Sequence, residues 1–227
     1  MENELDRMFL HSKEVPKIDD EFIKYFNNFR EYMMMYNCAI KEVRTKFEVL
    51  NADFSVTYKR NPIEMIKSRV KSPQSIFEKL QRKNLELSMD SILDNISDVA
   101  GVRVICSFID DIYEVAEMLV SQDDVKLLQI KDYIKNPKTN GYRSYHMIIE
   151  VPVFFARKKQ NIKVEVQLRT IAMDFWASLE HSMKYKQDII DTDYVVDELK
   201  KCADIIASTD LKMQEINNAI NKEKEIV

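Results

Sequence analysis

The stretch from Asn161 to Lys186 constrains the fold most strongly, because its hydrophobic period changes part-way along. Apolar and polar residues alternate from Ile162 to Arg169, which is typical of a strand with one face in the core. After that point apolar residues recur every three or four positions and predict an amphipathic helix. Its expected buried stripe contains Ala172, Phe175, Trp176, Leu179 and Met183. A strand therefore runs directly into a helix.

The polar side chains of this strand and helix are candidates for a binding site. They are Glu165, Gln167 and Arg169 on the strand, and Asp174, Glu180 and His181 on the helix. A polar strand face next to the start of a helix can hold a metal ion and phosphates. An antiparallel sheet that simply turns one face to water shows the same alternation, so this stretch alone leaves both interpretations open.

Composition narrows the kinds of site that the chain can form. The 227 residues are 45% hydrophobic and 32% charged, which is typical of a globular protein, and we expect a single domain over residues 1–227. Only two glycines occur, Gly101 and Gly141, which excludes a nucleotide site built on a glycine-rich loop. Side chains must therefore hold any phosphate. The formal net charge of −4 argues against stable nucleic-acid binding but permits a local basic cleft.

The cysteines and the N-terminal residues predict a location. Cys38, Cys106 and Cys202 are far apart and form no zinc-type pair, so we expect reduced core thiols in a cytoplasmic protein. The first residues are too charged for a secretion signal. No apolar run approaches the length of a membrane span, so we expect no membrane association.

Long heptad-patterned helices are predicted near both ends of the chain. Residues 18–50 place apolar residues at alternating steps of four and three, and residues 193–223 repeat this spacing. The first seam contains Phe22, Phe26, Phe29, Met33, Tyr36, Ile40, Val43, Phe47 and Leu50, and the second contains Val195, Leu199, Cys202, Ile206, Thr209, Met213, Ile216 and Ile220. Each seam could pack on its own domain or face another subunit, and the spacing fits both.

An α/β core is expected between residues 61 and 186. Its segments are a basic strand near 66–71, a helix capped by Ser72 and opened by Pro73, an inner strand over 102–106, a helix over 109–121, a strand over 125–131, a turn-rich loop over 136–141 and a following strand. Together with the strand and helix of residues 161–186, these segments predict an α+β fold. A mixed sheet of about five strands would be flanked by helices, with the two long helices at its ends.

Charged residues on separate strands of this core are not explained by packing. Asp98 enters the inner strand and Arg103 lies within it, and charges near a buried strand need a partner or a function. With Glu165 on another strand, two carboxylates are available, the minimum for a Mg²⁺ site that substrate phosphates complete. Neighbouring cations indicate a highly charged anion, and ATP with Mg²⁺ meets both requirements. For the basic residues alone, a solvated strand face is the alternative.

Four motifs in this order and spacing resemble the synthetase domain of the RelA/SpoT family. They are RVKSPQSIFEKL, ISDVAGVRVIC, NGYRSYH and VEVQLRTIAMDFWASLEHSMKYK, and they span about Asn61 to Lys186. In length the chain is similar to the single-domain members, the small alarmone synthetases. The resemblance implies a nucleotidyltransferase-like sheet, Mg²⁺ as cofactor and a homotetramer. It also implies transfer of the β,γ-pyrophosphate of ATP to the 3′-hydroxyl of GDP or GTP, with release of AMP, in the stringent response.

The resemblance also implies a role for each motif position. The implied metal ligands are Asp98 and Glu165, and Glu165 would also act as base toward the 3′-hydroxyl. The implied ATP contacts are Arg69 and Arg103 on the two faces of adenine, with Lys71, Ser75 and Lys79 on the phosphates. The implied GDP or GTP contacts are Tyr142, stacked on guanine, with Lys138, Arg143, His146, Gln167 and His181.

Two other functions remain open on the sequence. A nucleotidyltransferase of similar fold would attack the α-phosphorus of ATP and release pyrophosphate. A non-catalytic module that binds guanine nucleotides or RNA is the second, although the acidic net charge and the retained carboxylates argue against it. The long members of the family also hydrolyse the product through a His-Asp metal domain. This chain contains no His-Asp dipeptide, so hydrolysis by that route is not expected.

Overall fold

The structure, a computed structural model, describes residues 20–57, 60–184 and 192–225, and side chains over 27–57, 60–183 and 194–222. The elements within these ranges are α1 (Asp20–Thr57), β1 (Ile63–Val70), α2 (Pro73–Arg82), α3 (Met89–Asn95), β2 (Ala100–Cys106), α4 (Ile109–Val120), β3 (Lys126–Asp132), β4 (Tyr145–Phe154), β5 (Lys159–Thr170), α5 (Ile171–Lys184) and α6 (Thr192–Glu225). Contacts divide the chain into two units, Met1–Met34 and Met35–Val227. The described part of the first unit is the beginning of α1, and all other elements belong to the second.

The five strands form one mixed sheet in the order β1-β2-β5-β4-β3. β2 and β5 run parallel, whereas the other three neighbouring pairs are antiparallel. This sheet, with its helices, confirms the predicted α+β class and the expected number of strands. The predicted strand-to-helix transition is also confirmed, because β5 ends at Thr170 and α5 begins at Ile171.

One face of the sheet follows the alternation in the sequence. Val164, Val166 and Leu168 of β5 are fully buried, whereas Glu165 and Gln167 point to the opposite face and are half-buried. β2 alternates only in its first half, where Gly101 and Arg103 are half-buried, and its last three residues are all buried. The predicted inner strand is therefore confirmed, but part of one face is open rather than covered.

Local capping explains where two of the helices begin. The Ser72 hydroxyl accepts a hydrogen bond from the backbone N–H of Ser75 at 3.2 Å, and Pro73 takes the first helical position of α2, as predicted. The sequence analysis missed α3, which Ser88 caps in the same way. At seven residues, α3 is too short to show a clear helical period.

Helix α1 continues to Thr57, beyond the predicted end at residue 50. Residues 18 and 19 lie outside the described part, as do the side chains of Phe22 and Phe26. From residue 36 onward the predicted seam is core, because Tyr36, Ile40, Val43 and Phe47 are all buried. Phe54 continues that buried stripe to the end of the helix.

The predicted buried stripe of α5 is wrong in most positions. Trp176 is buried, but Phe175 is 59% exposed and Leu179 and Met183 are also exposed. The buried face is rotated and consists of Met173, Asp174, Trp176, Ala177 and Glu180. The reason is that Asp174 and Glu180 on this face accept hydrogen bonds from Arg103 and Asn140. A pattern of hydrophobic residues cannot predict the burial of such carboxylates. The predicted core boundary at residue 186 lies outside the described residues.

The second heptad seam is also only partly core. Leu199 is buried and Ile206 is half-buried, whereas Cys202, Met213, Ile216 and Ile220 are exposed. The buried face of α6 passes instead through Ala203, Asp210 and Gln214. Asp210 accepts a 2.6 Å hydrogen bond from the Thr170 hydroxyl, and Gln214 accepts one from the Asp110 N–H, so α6 is fixed by polar contacts. The apolar side of its C-terminal half faces outward.

The cysteine prediction is correct for one residue. Cys106 is buried, but Cys38 is half-buried and Cys202 is exposed, and all three are free thiols. Among the described helices, none combines the length and hydropathy that crossing a membrane requires.

Candidate active site

The strand register brings predicted site residues into two rows across the open face of the sheet. In the first row, Arg69, Gly101 and Glu165 are neighbours on β1, β2 and β5. The second row contains Lys67, Arg103, Gln167, His146 and Lys131 on β1, β2, β5, β4 and β3. The expected shared polar face is therefore present, and in the second row each of the five strands supplies one residue.

Two cavities open on this face, and they share a wall. The first, of about 220 Å³, is lined by Lys67, Ser68, Arg69, Asp98, Gly101, Val102, Arg103, Glu165 and Gln167. The second, of about 190 Å³, is lined by Lys79, Ser97, Asp98, Gln129, Lys131, Tyr133, Lys138, His146, Met147, Ile148 and Glu165. Asp98 and Glu165 line both cavities. A group passing from one cavity to the other would therefore pass the two carboxylates.

Asp98 lies just before β2 and holds two of the predicted phosphate-binding lysines. Its Oδ2 atom is 2.9 Å from Nζ of Lys71 and 2.8 Å from Nζ of Lys79. Burial favours the neutral carboxyl, but the hydrogen bonds from Lys79 and Lys71 outweigh burial and lower the pKa of Asp98. Asp98 is therefore ionised at neutral pH. The Oδ1 atom is buried and has no hydrogen-bond partner.

Glu165 is held from two sides on β5. The Gln167 amide donates to its Oε2 atom at 2.8 Å, and Nδ1 of His146 lies 3.6 Å from Oε1. Burial acts to raise the pKa of Glu165, and the contact with His146 and the hydrogen bond from Gln167 overcome it, so the pKa is lowered. The negative charge of Asp98 acts in the opposite direction, which shows that the two carboxylates are close enough to interact.

The carboxylate pair fits a Mg²⁺ ion that is completed by substrate oxygens. Mg²⁺ is usually held by one or two carboxylates together with phosphates and water. The unpartnered Oδ1 atom of Asp98 is a buried acceptor that lacks a donor, as expected for a metal ligand. No group of three or more His, Cys, Asp or Glu side chains suited to a metal occurs in the part of the chain that the structure describes. Among the described residues, Asp98 and Glu165 could therefore form an open two-carboxylate site rather than a closed metal cage.

The two predicted adenine-binding arginines line the first cavity. Arg69 is exposed, and Arg103 is partly exposed. Nη1 of Arg103 donates to Asp174 at 3.2 Å, while its buried Nε atom has no partner. Burial and the positive charge of Arg169 lower the pKa of Arg103. The planar faces of both guanidiniums suit stacking on a base.

The loop before β4 brings the predicted acceptor residues together. The ammonium group of Lys138 lies 4.8 Å from the ring centroids of both Tyr133 and Tyr142. The hydroxyl of Tyr142 is 2.9 Å from Nε2 of His146. Tyr142 itself lines neither cavity, whereas Lys138 and His146, which both contact it, line the second. A base could stack on the face of the ring that Lys138 occupies only if this ammonium moved away.

Helix α6 holds this loop in place. Gly141 has a φ of +85°, and a Cβ atom at this position would lie 2.5 Å from the Cβ of Ala203. Arg143 donates to the carbonyl oxygens of Gly141 and Ala203 and to Asp204. Asn140 donates to the buried Glu180 of α5. The acceptor loop is therefore fixed by tertiary contacts from two helices.

Five predicted residues do not line either cavity: Lys71, Ser75, Tyr142, Arg143 and His181. Ser75 lies in the first turn of α2, where its hydroxyl accepts a hydrogen bond from Ser72. Arg143 is directed toward α6, and His181 is exposed on α5. The sequence analysis also missed Gln129, Lys131 and Tyr133 as cavity residues. The alternation of β3 could have identified Lys131, but the position of β3 beside β4 could not be read from the sequence.

Comparison with known proteins identifies the family. The model of a region found in RelA/SpoT proteins matches residues 68–190, which is more than half of the chain. The chain belongs to the RelA/SpoT family. All of the residues that line the two cavities fall within or directly beside the matched region.

Relatives of this RelA/SpoT chain cover nearly its whole length. GTP pyrophosphokinase YwaC of Bacillus subtilis is 42% identical over 202 residues, which is 89% of this chain and 96% of the relative. The crystal structure of small alarmone synthetase 2 from Bacillus subtilis has a TM-score of 0.77 at 43% identity, covering 85% of this chain and 99% of that one. That of small alarmone synthetase 1 from the same organism, bound to its product pppGpp, has a TM-score of 0.78 at 33% identity, covering 85% and 98%.

Proposed function

We propose that this protein is a (p)ppGpp synthetase that transfers the β,γ-pyrophosphate of ATP to the 3′-hydroxyl of GDP or GTP and releases AMP. The observation that carries the proposal is the pair of cavities that meet at Asp98 and Glu165. A transfer between two nucleotides requires two binding sites with the reacting groups at their junction. The relatives named as GTP pyrophosphokinases support the same reaction.

The first cavity is the proposed donor site. Adenine lies between Arg69 and Arg103, both of which line this cavity. Lys71 and Lys79 bind the phosphates at the junction of the two cavities, because both ammonium groups already converge on Asp98 there. Lys79 lines the second cavity, and Lys71 lines neither. Ser75 contributes from the first turn of α2, where the helix N-terminus favours a negative charge. Because Asp98 holds the two lysines, they are in position before the triphosphate arrives.

The second cavity is the proposed acceptor site. Guanine stacks on Tyr142 after Lys138 leaves the ring, and the cation then neutralises acceptor phosphate. His146 and Gln167 hold Glu165 on either side, which orients the carboxylate that removes the proton of the 3′-hydroxyl. Arg143 supports the loop from α6, and His181 lies at the exposed side of α5.

Mg²⁺ completes the proposed site, with Asp98 and Glu165 as its protein ligands. When bound, the ion neutralises phosphate charge at the junction of the cavities. The protein itself supplies the in-line placement of the two nucleotides, the lysines that offset the remaining negative charge and the base. Phosphoryl transfers depend largely on such placement and electrostatics.

We further propose a cytoplasmic, homotetrameric enzyme of the stringent response. Self-association is supported by the exposed apolar side chains of α5 and α6, because large apolar groups that face water commonly mark interfaces. They include Phe175, Leu179, Ile205, Met213, Ile216 and Ile220. Light scattering coupled to size-exclusion chromatography should give a mass close to four times 26.9 kDa, and a monomer would contradict the tetramer.

The proposed reaction is tested by identifying its products. ATP, Mg²⁺ and GDP should give AMP and a guanosine nucleotide that carries a 3′-pyrophosphate, in equal amounts. Separate incubations with GTP and GMP would rank the acceptors. Release of free pyrophosphate would instead identify a nucleotidyltransferase, and absence of any transfer would leave a binding module as the function.

A further inference from the structure

Arg169, at the end of β5, contacts both sides of the active site although the proposed mechanism gives it no role. Its side chain is buried, with 4% of the residue exposed. Nη1 donates to Asp174 Oδ1 at 3.1 Å, and Nη2 donates to the Tyr142 hydroxyl at 2.7 Å and to Gln167 Oε1 at 3.2 Å. The orientation of a buried arginine with this many partners depends on the positions of those partners.

Asp174 of α5 links Arg169 to the donor side. The Oδ1 atom that accepts from Arg169 also accepts from Nη1 of Arg103, at 3.2 Å, and Oδ2 accepts from Lys67 at 3.1 Å. Asp174 is itself buried. The charges of Arg103 and Arg169 repel each other, so the shared carboxylate is what keeps the two guanidiniums together.

These contacts form a continuous line from one substrate site to the other. Arg103 lies in the proposed adenine site, and Tyr142 is the proposed guanine-stacking ring. Between them stand Asp174 and Arg169, each joined to its neighbours by hydrogen bonds of 2.7–3.2 Å. Neither of these two side chains lines either cavity, so each can act on a nucleotide only through the residue that it holds.

We propose that Arg169 and Asp174 are positioning residues that couple the donor and acceptor sites, so that ATP bound against Arg103 prepares Tyr142 for the guanine nucleotide. The coupling rests on the proposed function of the two cavities. A base stacked on Arg103 restricts its guanidinium, which fixes Asp174 and, through it, the guanidinium of Arg169. The Tyr142 ring is then held while Lys138 is displaced from it. Because linkage is reciprocal, the acceptor must strengthen donor binding by the same factor.

The test measures GDP affinity by calorimetry, first without and then with a saturating, non-hydrolysable ATP analogue and Mg²⁺. The ratio is the GDP affinity with the analogue divided by the affinity without it. For the unmodified protein we expect the analogue to strengthen GDP binding about fivefold or more. In Arg169→Lys the charge beside Asp174 is retained, but a single ammonium cannot replace the planar fork that reaches both Asp174 and Tyr142. We expect the ratio in this variant to fall to within about twofold of one.

Two further variants separate coupling from stability. Arg60→Lys is the matched control, because the Arg60 fork also grips two carboxylates, Asp111 and Glu114, but lies outside both cavities. It should keep the ratio of the unmodified protein, whatever stability it loses. Tyr142→Phe keeps the ring and removes the hydroxyl, which contacts His146 as well as Arg169. In this variant, as in Arg169→Lys, we expect the two GDP affinities to become nearly equal. If Arg169→Lys does not fold, Tyr142→Phe is the variant that tests the coupling.

The outcomes distinguish this coupling from the proposed reaction. The coupling is overturned if the unmodified protein binds GDP equally well with and without the analogue. It is also overturned if the analogue strengthens GDP binding in Arg169→Lys or in Tyr142→Phe as much as in the unmodified protein. In each of these cases AMP and the 3′-pyrophosphate product can still form, so the proposed function stands. Failure to form those products overturns the proposed function, independently of the affinity ratio.

Discussion

The cavities that we propose as donor and acceptor sites are built in different ways. The donor cavity is lined by residues of three neighbouring strands, β1, β2 and β5, together with Asp98 just before β2. The acceptor cavity adds a loop whose shape depends on α5 and α6. A site made of strand residues depends mainly on the register of the sheet. A site that includes a loop held by two helices depends also on contacts between residues that are far apart in the sequence.

The largest effect is expected at the junction that the two cavities share. Glu165→Gln should lower kcat by about 10³-fold or more, because it removes a base and a metal ligand with little change of shape. Binding of both nucleotides should largely survive. The measurement is steady-state product formation together with calorimetric affinities for ATP and GDP.

Glu150→Gln is the matched control for that variant, because Glu150 lies on β4 outside both cavities. It should retain full activity. Full activity in Glu165→Gln would remove Glu165 from the proposed mechanism.

The next largest effect should separate the acceptor loop from the donor strands. Gly141→Ala adds a Cβ that would overlap Ala203 and imposes a side chain on a backbone with positive φ. We expect a loss of about 2–3 kcal/mol in unfolding free energy and a higher KM for the acceptor, with the KM for ATP little changed. Chemical denaturation and kinetics with each substrate measure these effects.

Two variants check the cause of the Gly141→Ala effect. Gly141→Ala combined with Ala203→Gly should recover the part of the loss that is due to the overlap. Gly101→Ala is the stability control on the donor side, since its Cβ would lie 3.7 Å from the Arg69 carbonyl oxygen, an ordinary contact. Equal destabilisation by the two glycine substitutions would contradict the difference between the cavities.

A smaller and more selective effect is expected at Tyr142. Tyr142→Ala should raise the acceptor KM about tenfold, because stacking on an aromatic ring contributes about 1–3 kcal/mol per base. The KM for ATP should change far less. Tyr194→Ala removes an exposed ring on α6 and should leave both values unchanged. Equal losses for both nucleotides would count against stacking on Tyr142.

The smallest effect concerns the support of the acceptor side by α6. Burial raises the pKa of Asp210, and the Thr170 hydroxyl only partly opposes this shift. A carboxyl with a raised pKa in the folded state favours folding when protonated. That contribution is lost as the pH rises from about 3.9, the unfolded value, through the folded pKa.

At pH 7, the free energy of unfolding of Asp210→Asn should therefore be at least that of the unmodified protein, and up to about 1 kcal/mol higher. The difference should shrink as the pH approaches 4, and chemical denaturation across this range measures it. A variant that is less stable at pH 7 would show that the ionised carboxylate is favourable in the folded protein.

The donor side was predictable because its signals are local. Ser72 and Pro73 fix the start of α2, and the parity of β1 and β5 places Arg69 and Glu165 on one face. The family resemblance assigned their roles, whereas the alternation alone placed them on polar strand faces and left a solvated face as the alternative.

The acceptor side was less predictable because burial there is partly polar. Asp174, Glu180 and Asp210 are buried through contacts with distant residues, so a hydrophobic period placed the core face of α5 and part of α6 incorrectly. The role that we infer for Arg169 was missed for the same reason. The alternation along β5 shows on which face of the strand Arg169 lies. Its hydrogen-bond partners, in contrast, depend on how α5 and the loop before β4 fold over β5.

The shared wall formed by Asp98 and Glu165 also suggests how the enzyme could be inhibited. A compound that joins an adenosine mimic to a guanosine mimic by a short anionic tether would cross this wall and occupy both cavities at once. Its second half would bind at a high effective concentration, so the whole would bind more tightly than either half alone.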